Sequence, residues 1–355
     1  MAGATARPLT VTQLDAATDA RWAAFVRRPT ASLFHSPEWA AVLRDTYGFS
    51  VVAHVVDDPS GRIVAGVPVC RIEDPVGRRI ISLPFSDHCT PLADAPGHWP
   101  MLRETLCAEA QPLSILTLGD ADAAPDEQLT IAKRARWHGM ELADGLDAVE
   151  ARLAPTRRRA IRKAARAGVH VEPGDGERFL REFMRMHVAV RKHKYRLLAQ
   201  PAGFFAAIAR TFAASGGWLP LAAFHRGRCI AATIFLAWGD TLYYRFNTSE
   251  FDALPLRPND LLLWEGIRLA VARGCRRLDL GRSDDDQPGL IRFKQQFGAA
   301  EREIRLLRFT PPEYRAESGA EPRRLLATMT TLFTDPAIPD DVSAAAGTAL
   351  YRYFA

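Results

Sequence analysis

A chain of 355 residues is long enough for two or three ordinary domains. With 48% hydrophobic and 25% charged residues it has the balance of a soluble protein, and no apolar run approaches the roughly 18 residues of a membrane span. The five cysteines (Cys70, Cys89, Cys107, Cys229, Cys275) are odd in number, far apart and without a C-x-x-C pair, which argues against a disulfide framework or structural zinc.

The opening MAGATARPLTVTQLDAATDARW lacks the apolar core of a signal peptide, so a cytoplasmic protein is expected. Ser36-Pro37-Glu38-Trp39 reads as a helix start with Ser36 as N-cap. VVAHVVDDPSGRIVAGVPVCRI, running on to RRIISLPF, reads as strand, Gly-Arg turn, strand, turn, strand. The loop PFSDHCTP then presents Asp87 and His88, a pair suited to acceptor binding or proton transfer, or equally a loop-capping Asp beside a surface His.

TRRRAIRKAARAGV is the sharpest electrostatic feature. Thr156 is the expected N-cap and Gly168 the stop. Alanines and Ile161 form a narrow stripe, with Arg157 near its edge, and Arg158, Arg159, Arg162, Lys163 and Arg166 cover the other side. Each like-charged i,i+4 pair costs about 0.2–0.5 kcal/mol. A phosphate-rich partner such as a nucleotide or RNA would explain that arrangement, and a solvated face balanced by acids elsewhere is the plainer alternative.

Glu177–Lys194 and Phe204–Ala214 read as helices, the first ending in a cationic group of Arg191, His193 and Tyr195 suited to gripping a phosphorylated or carboxylated acceptor. LPLAAFHRGRCIAATIFLAWGD and TLYYRFN then repeat the earlier meander, Gly227-Arg228 matching Gly61-Arg62. Tyr243 and Tyr244 must face opposite ways on their strand, and Tyr244 is taken as a groove residue. A helix Asn259–Arg273, a strand CRRLDLG and a last strand REIRLLRF follow, with Asp279, Arg282 and Ser283 at a strand-to-helix join. Asp284, Asp285 and Asp286 read as helix caps rather than metal ligands. In GLIRFKQQFGA, Leu290, Ile291, Phe293 and Phe297 share one helical arc, and Lys294 sits in the middle of it, where an ammonium is costly without a partner.

Together SPEWA, LPFSDHCTPL, IRKAARAGV, RKHKYRLLAQPAGFF, LYYRF, RPNDLLLWEGIRLAVARG, LDLGRS and GLIRFKQQFGA, in this order, resemble the Fem family of peptidyltransferases and related Fem-like proteins of the GNAT superfamily, over roughly residues 30 to 310. The resemblance implies an α+β fold of two tandem GNAT-like domains, each a mixed, mostly antiparallel sheet flanked by helices. We place them at 1–150 and 151–310, before a helical tail at 311–355. It implies an aminoacyl or acyl group moved onto an amine, with aminoacyl-tRNA as the usual donor and peptidoglycan precursors as the usual acceptors. Phe293 and Lys294 fall where that family lines its acyl-transfer channel, the lysine steadying the oxyanion. Asp87, His88, Arg191, His193, Tyr244, Asn259 and Arg282 are the substrate-binding candidates. The GRSD ending at 281–284 and the lack of a coiled-coil arm look like the Fem-like branch, which leaves the acceptor open among cell-wall, exopolysaccharide and natural-product precursors.

An acetyl-CoA site in a GNAT enzyme has the pattern Q/R-x-x-G-x-G/A at a helix N-terminus. The corresponding stretch, EFDALPLRPNDLLLW, has no glycine and two prolines, which remove N–H donors. No bound cofactor is therefore expected, only aminoacyl-tRNA or acyl-CoA as co-substrate. The rivals are an acyl-CoA-dependent N-acyltransferase and a non-catalytic RNA- or anion-binding protein.

Overall fold

The computed structural model describes residues 8–119, 128–314 and 320–355. In chain order its first elements are β1 (Thr10–Asp15), α1 (Ala20–Phe25), α2 (Pro37–Tyr47), β2 (Val51–Asp57), β3 (Ile63–Asp74) and β4 (Gly77–Ile81). β5 (Leu92–Ala93), α3 (His98–Cys107), β6 (Leu113–Leu118), β7 (Thr130–Glu141), α4 (Leu146–Arg152), α5 (Pro155–Arg166) and β8 (His170–Pro173) follow. Then come α6 (Gly176–Ala189), α7 (Ala202–Ala214), β9 (Trp218–His225), β10 (Arg228–Trp238), β11 (Thr241–Ser249) and α8 (Pro258–Ala272). The last are β12 (Arg277–Ser283), α9 (Pro288–Gln296), β13 (Ala300–Phe309), α10 (Ala320–Phe333) and α11 (Asp340–Leu350).

Two compact units result, one holding residues up to Ala135 with Arg302–Pro322, the other Arg136–Glu301 with Arg323–Phe354. Their strand orders match. In the first, β1, β2, β3 and β4 pair antiparallel in sequence, β6 adds parallel to β4, and β13 pairs antiparallel with β6. In the second, β8 to β11 pair antiparallel, β12 adds parallel to β11, and β7 pairs antiparallel with β12. The repeated meander and the tandem mixed-sheet fold are thus present as expected. The sixth strand of each sheet comes from beyond its own half of the sequence, so the division falls at Ala135/Arg136 within β7 rather than near residue 150.

The turn glycines explain the repeat locally. Gly61 and Gly227 both have left-handed φ (82° and 77°), which a side chain would strain. Ser36 caps α2 as expected, its hydroxyl accepting from the Trp39 N–H. Each unit has its own core. In the first, Trp99, Leu102 and Leu106 of α3 cover Val67, Ile80 and Ile115 of the sheet. In the second, Leu262, Leu263 and Ile267 of α8 pack with Phe235, Leu242, Leu278 and Phe297. Among the described residues no helix is long and apolar enough to cross a membrane.

Candidate active site

Lys294 is the one residue of α9 that is fully buried, at 2% exposure, whereas Leu290, expected on the apolar arc, is 36% exposed. The arc is therefore narrower than its periodicity implied. Its centre is the ammonium, with Phe293 half-buried and Phe297 fully buried beside it. Lys294 Nζ donates to the Gly281 carbonyl, the Arg282 carbonyl and the Ser283 hydroxyl, each at 2.9 Å. Successive carbonyls of a regular strand point to opposite sides, so both reach one ammonium only because β12 is irregular there. The register slips between Asp279 and Gly281, a bulge, and Gly281 adopts a φ of 71°. Asp279 holds the bulge, one carboxylate oxygen accepting from Gly281 N–H at 2.6 Å and the other from Trp137 Nε1 at 2.8 Å.

A second cluster lies against Phe293. Arg157 sets its guanidinium over the Phe293 ring (5.4 Å to the centroid) and donates to Asp260 Oδ1 at 2.7 Å, in an ion pair with little exposure on either side. Burial raises the Asp260 carboxyl above its usual range against the opposing pull of Arg157. Burial also pushes the Tyr244 phenol up, and the Asp260 charge pushes it the same way. Tyr244 packs on Phe235 (5.5 Å between centroids) and lines the second core, partly buried, whereas Tyr243 is fully buried. Asn259 sits in a polar chain, its Oδ1 accepting from Asn247 Nδ2 at 3.3 Å and its Nδ2 donating to Ser249 Oγ at 3.1 Å.

The second unit thus holds Phe293, Lys294 and the Arg282 backbone at one point, with Tyr244 in its core and Asn259 in a separate polar chain. The other candidates lie elsewhere. The Arg282 guanidinium holds Asp284 Oδ1 at 2.6 and 3.0 Å, and Asp285 pairs with Arg136. Asp284 and Asp285 therefore bind arginines instead of capping α9, whose N-cap is Gln287. Arg191 donates to the Leu198 carbonyl, and His193 meets Asp340 of the C-terminal segment. Between them Lys192 is 1% exposed and gives its ammonium to Asp340 (2.8 Å) and the Ile338 carbonyl. Of the expected cationic grip, His193 is thus engaged with α11 and Arg191 with the Leu198 carbonyl, while Tyr195 is exposed. Asp87 and His88 belong to the first unit, after β4. His88 is buried, its ring edge-on to Phe34 at 5.7 Å, so it is no surface histidine.

The basic helix α5 starts two residues earlier than expected. Ala154 is the N-cap and Pro155 the first residue, leaving Thr156 inside the helix, while Val169 N–H closes the far end on Ala164 O. Arg158 is half-buried, with Nη1 3.3 Å from Glu150 O. Arg159, Arg162, Lys163 and Arg166 are exposed, at i, i+3, i+4 and i+7 on one stripe, and none forms an ion pair among the described residues. Ala154 N–H donates to Gln296 O at 2.9 Å, fastening the start of this helix to the end of α9.

Two features escaped sequence reading. Asp260 stands in the first turn of α8 before three leucines, and such an acid signals a buried pair. Its partner Arg157 was hidden in the run of arginines. His138, described below, reaches the site by cross-strand pairing, for which no local pattern exists.

Residues 153–295 match the acetyltransferase (GNAT) domain family. No curated protein matches the chain by sequence. Among solved structures, FemX is similar at a TM-score of 0.62 and 13% identity, over 83% of this chain and 96% of that one. L-PGS from Bacillus licheniformis aligns at 0.54 and 11%, over 89% and 98%. The C-terminal domain of a putative lysylphosphatidylglycerol synthetase from Agrobacterium fabrum aligns at 0.53 and 15%, over 84% and 92%. Residues 153–295 are thus similar to a GNAT acetyltransferase domain, and the chain as a whole shares the fold of FemX.

Proposed function

We propose that this GNAT acyltransferase forms an amide, moving an aminoacyl group from aminoacyl-tRNA onto an amine of a cell-wall, exopolysaccharide or natural-product precursor. The observation that supports it most is Lys294, a buried ammonium held on three neutral oxygens inside the segment that matches a GNAT domain. When the amine lone pair attacks the acyl carbon, the carbonyl oxygen becomes an oxyanion. Two of the three acceptors are backbone carbonyls of β12 and the third is the Ser283 side chain, which a change of χ1 carries off Nζ, so the oxyanion takes that place. Lys294 then exchanges a neutral acceptor for an anion, an interaction stronger in the transition state than before it. Phe293 walls the site against water, with Arg157 stacked behind it.

Two features favour a tRNA donor. The exposed stripe of α5 offers four uncompensated cations to a phosphate backbone. The first turn of α8, where a CoA pyrophosphate would seek backbone N–H groups, opens on Pro258, which has no N–H to donate. Residues at that turn are Pro258 and Asn259, and the preceding Arg257 has a φ of 62° without any glycine.

The test is amide formation with charged tRNA as donor and a panel of amines as acceptors. Product that disappears on RNase treatment supports the reading. RNase-insensitive product from acetyl-CoA, with a rise in melting temperature on adding acetyl-CoA, contradicts the donor assignment.

A further inference from the structure

His138 of β7 lies directly opposite Gly281 in the β7–β12 register, so it flanks the carbonyl that holds Lys294. Its side chain is fully buried (0% exposed), with Nδ1 making no hydrogen bond among the described residues and Nε2 turned to Glu301. Four groups or elements surround it: Lys294 of α9, Glu301 of β13, Arg136 on its own strand, and the Gly281 backbone of β12. Nε2 is 3.3 Å from Glu301 Oε2, and the Glu301 side chain is 29% exposed, with Arg136 Nη1 on its other oxygen at 2.6 Å.

We propose that His138 is the proton acceptor for the amine in the acyl transfer, and that Glu301 is the outlet through which that proton reaches water. The inference rests on the transferase reading above. The chemistry requires such a route because an ordinary alkyl amine arrives protonated near pH 7: R–NH3+ and R'CO–OR'' become R'CO–NHR, R''OH and one H+. One nitrogen proton leaves before attack, freeing the lone pair that forms the C–N bond. A second leaves the tetrahedral intermediate and goes to the departing oxygen as the C–O bond breaks. Glu301 beside Nε2 favours the tautomer with the proton on Nε2, which leaves the Nδ1 lone pair to accept. Transfer at Nδ1 and release from Nε2 to Glu301 then carries the first proton from a closed site to the surface. Burial first, and the Lys294 charge second, hold the imidazole neutral down to about pH 4, so it is in the accepting form throughout the working range.

The experiment compares single-turnover amide formation by the wild type, His138→Asn and Glu301→Gln from pH 6 to 9, with and without added imidazole. Each variant's melt is recorded alongside. A fall of about 100-fold or more is expected for His138→Asn at saturating acceptor with KM unchanged, partly restored by imidazole and by raising the pH toward the amine's own pKa. Glu301→Gln, altered at a partly exposed site, is expected to slow the rate about tenfold and to make it depend on buffer concentration. Wild-type rates and pH profiles in a folded His138→Asn variant overturn the proton route alone. If that variant fails to fold, a wild-type, buffer-independent rate in Glu301→Gln overturns it. A wild type that forms no amide from either donor overturns the transferase reading, and this inference with it.

Discussion

Removing an ammonium from water costs several kcal/mol, and only good oxygen ligands offset it. Lys294 has three, two of them carbonyls that a bulged strand turns toward it. Arg157 and Asp260 follow the same rule as a buried pair, and because they pair with each other the consequence is testable. Arg157→Met leaves a buried carboxylate unpaired and is expected to lower unfolding free energy by about 3–5 kcal/mol, read from urea midpoints, while Arg157→Met with Asp260→Leu recovers most of it. The Asp260 carboxyl is raised in the folded state, chiefly by burial, so the native form binds its proton more tightly than the unfolded chain. Its contribution therefore falls as pH rises from its ordinary range through the raised value, and the single variant's deficit should shrink on mild acidification. A deficit that is constant with pH would show that Asp260 is not the group left exposed to that cost.

At the scale of elements, α5 separates into two sides with different work. Ala160 and Ala164 are buried against the rest of its unit, and Arg157 turns inward, while Arg159, Arg162, Lys163 and Arg166 face solvent. Changing those four to glutamine is expected to leave the melting temperature unchanged or slightly higher, because it removes repulsion of about 0.2–0.5 kcal/mol per i,i+4 pair. RNA affinity should drop, and the slope of log K against log salt should shrink by about 3. An unaltered slope would assign the stripe to simple solvation. These elements were legible in the sequence where the signal is local. Gly61 and Gly227 announce their turns, Ser36 its cap, and the alanine stripe its helix. Thr156 misplaced the helix start because Pro155 is itself a good first residue. Leu290 was read as buried because periodicity records polarity and not how much of an arc a neighbour covers. Lys294 was legible for the same reason that it is unusual, a charge where apolar spacing leaves no room for one.

For the whole molecule, long-range pairing is the part that no window of sequence reveals. Each sheet takes its sixth strand from outside its own half, and β7 brings His138 to Gly281 by register alone. Four histidines end up buried and neutral in this architecture, His35 and His54 in the first unit, His138 and His187 in the second, each held down to about pH 4 chiefly by burial. The unfolded chain protonates them near 6.5, so stability is full above that pH and is lost as pH falls toward 4, by about 1.4 kcal/mol per pH unit for each histidine. Urea unfolding at pH 7, 6 and 5 should show midpoints falling with acid, and midpoints independent of pH would deny that these imidazoles are neutral in the fold. The central claim concerns chemistry, and one measurement reaches it: single-turnover amide formation from charged tRNA by wild type and Lys294→Met at saturating acceptor. The account predicts a loss of about 100- to 1000-fold in rate with acceptor affinity retained. An undiminished rate in the folded variant would contradict it.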